Sequence, residues 1–292
     1  MADRYSDERQ PLSIKSGRIK VGMEVGRLGW SVGARVAANF ALDHVHGDLT
    51  AEAKATGLGA LVDGVLAEYK VVPAHALVRI PDHLTHEEAA TLPCAAVTAY
   101  NALMGPNPLK GGDTVLVQGT GGVSVFALQL AVASGATVIV TSSSDEKLAI
   151  ARTLGAAHTV NYKDTPEWDE EVLKITKGRG VDRIIEVGGP ATIMKSVNCI
   201  RYGGTISLIG RVAGVEADVS ELPVKVISKT VTMRGILIGS RASFEDMNRL
   251  IEAVKLRPVV DRVFSFEEAR EAYEYMARQE HVGKVVVKVS KD

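Results

Sequence analysis

One glycine-rich turn carries the clearest chemistry in the sequence. Val115-Leu116-Val117-Gln118-Gly119-Thr120-Gly121-Gly122-Val123-Ser124 joins an apolar strand to an apolar helix through G-x-G-G-x-S. Between a strand and a helix, this pattern is a dinucleotide fingerprint. Gly119 permits the tight turn, Gly121 lets the backbone approach a pyrophosphate, and the helix start supplies N–H groups and positive dipole. Ser124 takes the third small position, where its hydroxyl tightens the helix–strand fit. The next strand ends in Thr141-Ser142-Ser143-Ser144, without the acid that would hold a ribose 2′-hydroxyl. Asp145 is better placed to cap the following helix. Small hydroxyls with Lys147 one turn later leave room for a 2′-phosphate, so NADP(H) is expected in preference to NAD(H).

Other constellations are poorer. The chain has two cysteines, Cys94 and Cys199, too few for a disulfide framework or a four-cysteine zinc lobe. His83 and His86 are spaced i, i+3, but His86-Glu87 is followed by Ala90 where H-E-x-x-H requires histidine. His44 and His46 read as a solvated loop, Cys94 as a small packing residue and Cys199 as helix core, so no metal site is expected. Neither G-x-S-x-G nor a Walker loop occurs, which excludes esterase and NTPase chemistry of those types. Tyr100 has a proton to donate, although a buried aromatic in a helix is the commoner explanation.

Composition narrows the classes further. Among 292 residues, 34 Lys and Arg against 35 Asp and Glu leave a net charge of −1, with no basic footprint for nucleic acid. The chain is 46% hydrophobic and only 5% aromatic with 28 glycines, a mixture suited to α/β layers. The opening MADRYSDERQ lacks an apolar signal region, and no apolar run reaches the roughly 20 residues of a membrane span. A cytoplasmic protein is expected.

The glycine turn must be positioned by a parallel sheet. Thr114–Gln118, Thr137–Thr141, Arg183–Val187, Thr205–Ile209 and Val231–Ile238 read as strands buried on both faces. Between them, helices are predicted over 122–133, 145–154, 166–176 with Thr165 as cap, and 191–200. Repeated βα units predict an α/β fold with a doubly wound parallel, or Rossmann, sheet. Before it lie a poorly ordered lead-in (1–20) and short β runs such as Arg35-Val36-Ala37 and Leu66 to Val72. The Thr85/Glu88 capping box then opens a helix. After it come a helix capped by Ser243, a strand near Val259 to Phe264, a helix with a Ser265/Glu268 capping box, and a last strand over Lys284 to Val289.

The stretches AATLPCAAVTAYNAL (89–103), GDTVLVQGTGGVSVFALQLA (112–131), TSSSDEKLAIARTLGAAHTVNY (141–162), IIEVGGPAT (184–192), GGTISLIG (203–210), RGILIGSRASF (234–244) and HVGKVVVKV (281–289) resemble the medium-chain dehydrogenase/reductase superfamily, in its zinc-independent, quinone-oxidoreductase-like branch. The resemblance implies a partial GroES-like β domain built from both chain ends (21–94 and 239–292) around a Rossmann NADP(H)-binding domain (95–238). It places Thr98 against the nicotinamide, Gly121, Gly122 and Val123 at the pyrophosphate, and Ser142, Lys147 and Tyr162 at the 2′-phosphate. Val187 and Gly188 would line the adenine side, Ile209 and Gly210 the nicotinamide ribose, and Ile238 the carboxamide, while Gly283 and Lys284 would close over the cofactor. Cys94 falls where zinc-dependent relatives keep a ligand, here without its partners. The implied activity is NADPH-dependent hydride transfer to a quinone, carbonyl or activated alkene, with Thr98 and Tyr100 as candidate hydroxyls. A homodimer through the edge strand near Val231 to Ile238 is also implied. The match fades before Gly33, and Ala34 replaces the acid of V-G-D-R-V, so a truncated or diverged substrate layer is expected. The alternative is an NADP(H)-binding protein with little catalysis.

Overall fold

The computed structural model describes residues 11–15, 18–20, 29–214 and 217–290. The chain forms two compact units, Met1–Val97 with Ile238–Asp292, and Thr98–Leu237. In chain order the first unit contributes β1 (Pro11–Lys15), β2 (Arg18–Lys20), β3 (Val36–Ala38), α1 (Ala51–Ala55), β4 (Tyr69–Pro73), β5 (Leu77–Arg79), α2 (His86–Ala89) and a π-helical turn over Leu92–Ala96. The second holds α3 (Val97–Met104), β6 (Thr114–Gln118), α4 (Gly122–Ala133), β7 (Thr137–Ser142), α5 (Asp145–Thr153), β8 (His158–Asn161), α6 (Trp168–Ile175), β9 (Val181–Glu186), α7 (Pro190–Cys199), β10 (Ile200–Leu208), α8 (Leu222–Ser228) and β11 (Thr232–Gly235). The return segment adds α9 (Arg241–Val254), β12 (Val260–Ser265), α10 (Ala269–Ala277) and β13 (Lys284–Lys288). Among the described residues no helix is long and apolar enough to cross a membrane.

The first unit is built from small antiparallel pairings, β1 with β2 and β4, and β3 with β5, plus a parallel β12–β13 pair. Strands β1 and β2 lie in the stretch expected to be poorly ordered. Their signal is a short one: Leu12 and Ile14 alternate with Ser13 and Lys15, and a period of two over five residues is easily lost beside mixed charges. The Thr85/Glu88 capping box is present, with reciprocal bonds of 2.8 and 3.1 Å. Helix α9 is capped by Ser240, whose Oγ accepts from the Ser243 amide at 3.1 Å, so Ser243 is the donor rather than the cap.

The second unit is a six-stranded sheet in the order β11-β10-β9-β6-β7-β8 with every neighbouring pair parallel. From β6 the chain winds outward through β7 and β8, then returns to lay β9, β10 and β11 on the other side. The strand order therefore reverses between β6 and β9, and the carboxyl ends of all strands share one edge of the sheet. Leu116, Ile139, Ile184 and Ile206 from the strands pack with Trp168, Val172, Val197 and Cys199 from the helices. Two elements were not foreseen. Strand β8 is an edge strand with Val160 as its one buried residue, and α8 buries none of its side chains. Helix α6 starts at Trp168 with Glu167 as its N-cap, so Thr165, whose amide donates to the Asn161 carbonyl, belongs to the preceding turn rather than capping the helix. The last strand is only Thr232–Gly235.

Strand β9 opens with a buried acid. Asp182 accepts from Arg179 at 2.6 and 2.9 Å, from Arg201 Nε at 2.5 Å and from the Thr114 amide at 2.8 Å, binding β6, β9 and β10 at their amino ends. Burial alone would raise its pKa, but the two guanidinium groups and the amide outweigh burial and hold the carboxyl well below the usual carboxylate range. A depressed folded pKa gives stability that is complete above the unfolded value, near 4, and lost as pH falls below it. We expect Asp182→Asn to lower the thermal midpoint at pH 7 by about 5 °C and to flatten the decline below pH 4. Calorimetry between pH 2.5 and 7 measures both; equal acid sensitivity in the two proteins would contradict this role.

Candidate functional site

The glycine turn sits where β6 meets α4. Gly119 lies in the left-handed region at φ 72°, and its amide donates to the Thr141 carbonyl at 2.7 Å, fixing the turn to the end of β7. Gly121 is the extended N-cap of α4, and no side chain caps that helix among the described residues. A Cβ built on Gly121 meets nothing within 4 Å, so the space before the helix start is open. An uncapped start of a twelve-residue helix facing open space fits an anionic group. Ser124 is buried and its Oγ donates to the Gln118 carbonyl at 2.7 Å, so the hydroxyl ties helix to strand rather than merely crowding the contact.

The other expected residues of this unit fall along the same edge. Ser142 ends β7, and its carbonyl accepts from the Tyr162 amide at 3.0 Å, holding Tyr162 beside it. Ser144 caps α5 by accepting from the Lys147 amide at 3.4 Å. Asp145, expected as a cap, instead accepts from Asn161 Nδ2 at 3.1 Å. The end of β7 thus carries hydroxyls, with half-buried Lys147 five residues on and exposed Tyr162 held beside Ser142 by its backbone bond. Val187 and Gly188 follow β9, and Ile209 and Gly210 follow β10. These two loops are zipped together by Ile209 N to Glu186 O at 2.9 Å and Val212 N to Val187 O at 3.0 Å. A Cβ on Gly210 would stand 2.6 Å from the Val187 carbonyl oxygen, so only glycine allows this approach. Thr98 is buried and Tyr100 half-buried on α3.

Two polar residues of this edge were not anticipated. Gln118, the last residue of β6, and Glu186, the last of β9, are buried and bonded to each other at 2.7 Å across the point where the strand order reverses. A carboxylate directly after the apolar pair Ile184-Ile185 was the available signal.

Ile238, Gly283 and Lys284 belong to the first unit. Gly283 has φ 75° and stands where a Cβ would lie 2.5 Å from the Val259 carbonyl oxygen. Lys284 and Cys94 both line a cavity of about 410 Å³ walled by Val36, Phe40, Val72 and Val286. Burial pushes the Lys284 ammonium below the usual lysine range, with Cys94 acting in the opposite direction. Cys94 is exposed rather than packed, whereas Cys199 is buried, and burial pushes its thiol well up. His44, expected in a solvated loop, is buried, with Nε2 3.0 Å from the Gly47 carbonyl oxygen.

A zinc-binding dehydrogenase family model matches residues 122–253. A zinc-type alcohol dehydrogenase-like protein of Schizosaccharomyces pombe is 48% identical over 274 residues, covering 92% of this chain and 79% of the relative. The chain belongs to the medium-chain dehydrogenase/reductase superfamily. Among solved superfamily structures, an NAD-dependent alcohol dehydrogenase superposes with a TM-score of 0.80 at 32% identity, covering 90% of this chain and 78% of that one. A 2-octenoyl-CoA carboxylase reductase in complex with NADP and 2-octenoyl-CoA superposes with a TM-score of 0.81 at 30% identity, covering 94% and 66%. Membership makes this chain an oxidoreductase of the alcohol dehydrogenase and reductase type. Among the described residues no three His, Cys, Asp or Glu side chains converge on a metal position.

The tie between Ser124 and Gln118 gives a direct test of how the turn is held. Ser124→Ala leaves a buried carbonyl without its partner and is expected to cost about 1–2 kcal/mol, read as a lower midpoint in urea. An unchanged midpoint would show that the hydroxyl contributes nothing.

Proposed function

We propose that this chain is an NADPH-dependent, zinc-independent reductase that transfers a hydride to a quinone, a carbonyl compound or an activated alkene. The observation that carries the reading is the uncapped start of α4 over open space at Gly121, on the edge where the strand order reverses. Two further features support NADPH over NADH. A serine, Ser142, stands at the end of β7, and the nearest acid, Asp145, is bonded to Asn161. Lys147 and Tyr162 then supply a cation and a hydroxyl for a 2′-phosphate.

When bound, the dinucleotide supplies the hydride, and the work of the chain is binding and orientation. Gly121, Gly122 and Val123 present backbone to the pyrophosphate. Val187, Gly188, Ile209 and Gly210 fix the adenine side and nicotinamide ribose. Thr98, Ile238, Gly283 and Lys284 are the proposed contacts around the nicotinamide end. A hydroxyl from Thr98 or Tyr100 would stabilise the oxyanion that develops as the acceptor is reduced. The electrophilic acceptor class rests on the superfamily resemblance and on the bound enoyl thioester of the reductase neighbour. A homodimer is proposed through β11, the outer strand of the sheet, beside which Val224, Ile227 and Leu237 are exposed. A cytoplasmic location is proposed from two free cysteines and no disulfide among the described residues.

Fluorescence titration of the purified protein should give NADPH at least about tenfold tighter than NADH. Equal affinities, or no binding of either, would overturn the cofactor reading. Ser142→Asp should reverse the preference by setting a carboxylate against a 2′-phosphate. Gly121→Val should abolish binding with an unchanged circular-dichroism melt, because its side chain fills ligand space and not core. NADPH oxidation across ortho-quinones, aldehydes and enones then tests turnover; binding without turnover on any of them would contradict the reductase reading.

A further inference from the structure

We infer that Glu186 is the positioning residue of the dinucleotide pocket, acting through Gln118 across the reversal point of the sheet. The inference rests on the proposed dinucleotide reading. Glu186 has no exposed surface. Its Oε1 accepts from the amides of Gly188 at 2.9 Å and Gly189 at 3.0 Å and from Thr192 Oγ1 at 2.6 Å. Its Oε2 accepts from Gln118 Nε2 at 2.7 Å and from Ser196 Oγ. Five donors surround the carboxyl group at the start of α7, where the helix dipole also favours a negative group.

The same contacts fix the height of the loops that the cofactor would touch. Gln118 Oε1 accepts from the amides of Val187 and Gly188, both at 3.2 Å, while the Gln118 carbonyl receives Ser124 at the start of α4. One carboxyl–carboxamide pair therefore sets the Val187–Gly189 loop against the Gly119–Gly121 turn. The Glu186 carbonyl carries this over to β10 by accepting from the Ile209 amide. The fit has little slack: a Cβ on Gly188 would lie 2.2 Å from Thr192 Oγ1.

The pairing has a handedness that can be exchanged. In Glu186→Gln the new NH₂ meets either the Gln118 NH₂ or, with the side chain turned over, the Gly188 and Gly189 amides, donor to donor in both cases. If Gln118 turns over, its own NH₂ faces the Val187 and Gly188 amides instead, so every arrangement displaces the loop. In the double variant Q118E/E186Q the 2.7 Å contact is kept with its donor reversed, the two Oε1 acceptors stay in place, and Ser196 needs only to rotate its hydroxyl.

The test compares wild type, E186Q, Q118E/E186Q and the milder T192V, at a temperature where circular dichroism shows each folded, by NADPH titration and by steady-state kinetics. E186Q is expected to raise Kd and KM for NADPH at least tenfold with a smaller change in kcat, and T192V about threefold. The double variant should return within about threefold of wild type. If E186Q does not fold, T192V and the double variant carry the same comparison. Wild-type affinity in E186Q and T192V would overturn the inference, as would a double variant that regains the thermal midpoint without regaining affinity. A wild-type chain that binds neither NADPH nor NADH fails the dinucleotide reading itself; tight wild-type binding unaffected by the variants fails only the positioning role.

Discussion

A carboxyl group removed from water costs stability unless donors meet it. Strand β9 carries two such groups four residues apart, Asp182 at its amino end and Glu186 at its carboxyl end. Between them Ile184 and Ile185 are sealed in the sheet. Asp182 clamps β9 to β6 and β10 through Thr114 and Arg201, and Glu186 clamps it to β6 through Gln118. The hydrophobic strands supply most of the driving force, but the acids specify register, because a slip of one residue would bury each carboxylate without its donors.

That specification matters most at the carboxyl edge. In an all-parallel sheet the loops after every strand gather on one side, and the reversal of strand order opens a crevice between two of them. Here the order reverses between β6 and β9, and the segments that follow these two strands are the glycine turn and the Val187–Gly189 loop. Both segments are tied to the sheet. Ser124 ties α4 back to β6, the Gly119 amide ties the turn to β7, and Gly210 lets the β10 loop touch the Val187 carbonyl. Space is open before α4 at Gly121, so a ligand there would meet preformed donors without ordering the loops on arrival.

Local signals made much of this fold readable. Apolar strands of five or six residues alternating with capped helices announced the sheet, and the glycines announced the turn, because each signal is complete within a dozen residues. The elements that escaped have weak local patterns: β8 buries only Val160, α8 buries nothing, and β1 offers two apolar residues in five. The Glu186 cluster escaped for a different reason. Its partners Gln118 and Thr192 lie 68 positions before it and 6 after it, and only the parallel pairing of β6 with β9 brings Gln118 beside it. The caps assigned to Ser243, Thr165 and Asp145 show a similar limit, since several polar residues within a turn of the helix start can each cap it and the backbone turn selects one of them.

Hydrogen exchange measured on the wild-type protein with and without saturating NADPH tests the dinucleotide seat most directly. Bound cofactor should slow exchange at three separated segments of one sheet edge together: 119–124, 187–189 and 209–213. Exchange at all three that is indifferent to NADPH, under conditions where binding is independently observed, would contradict a seat at the β6–β9 crevice.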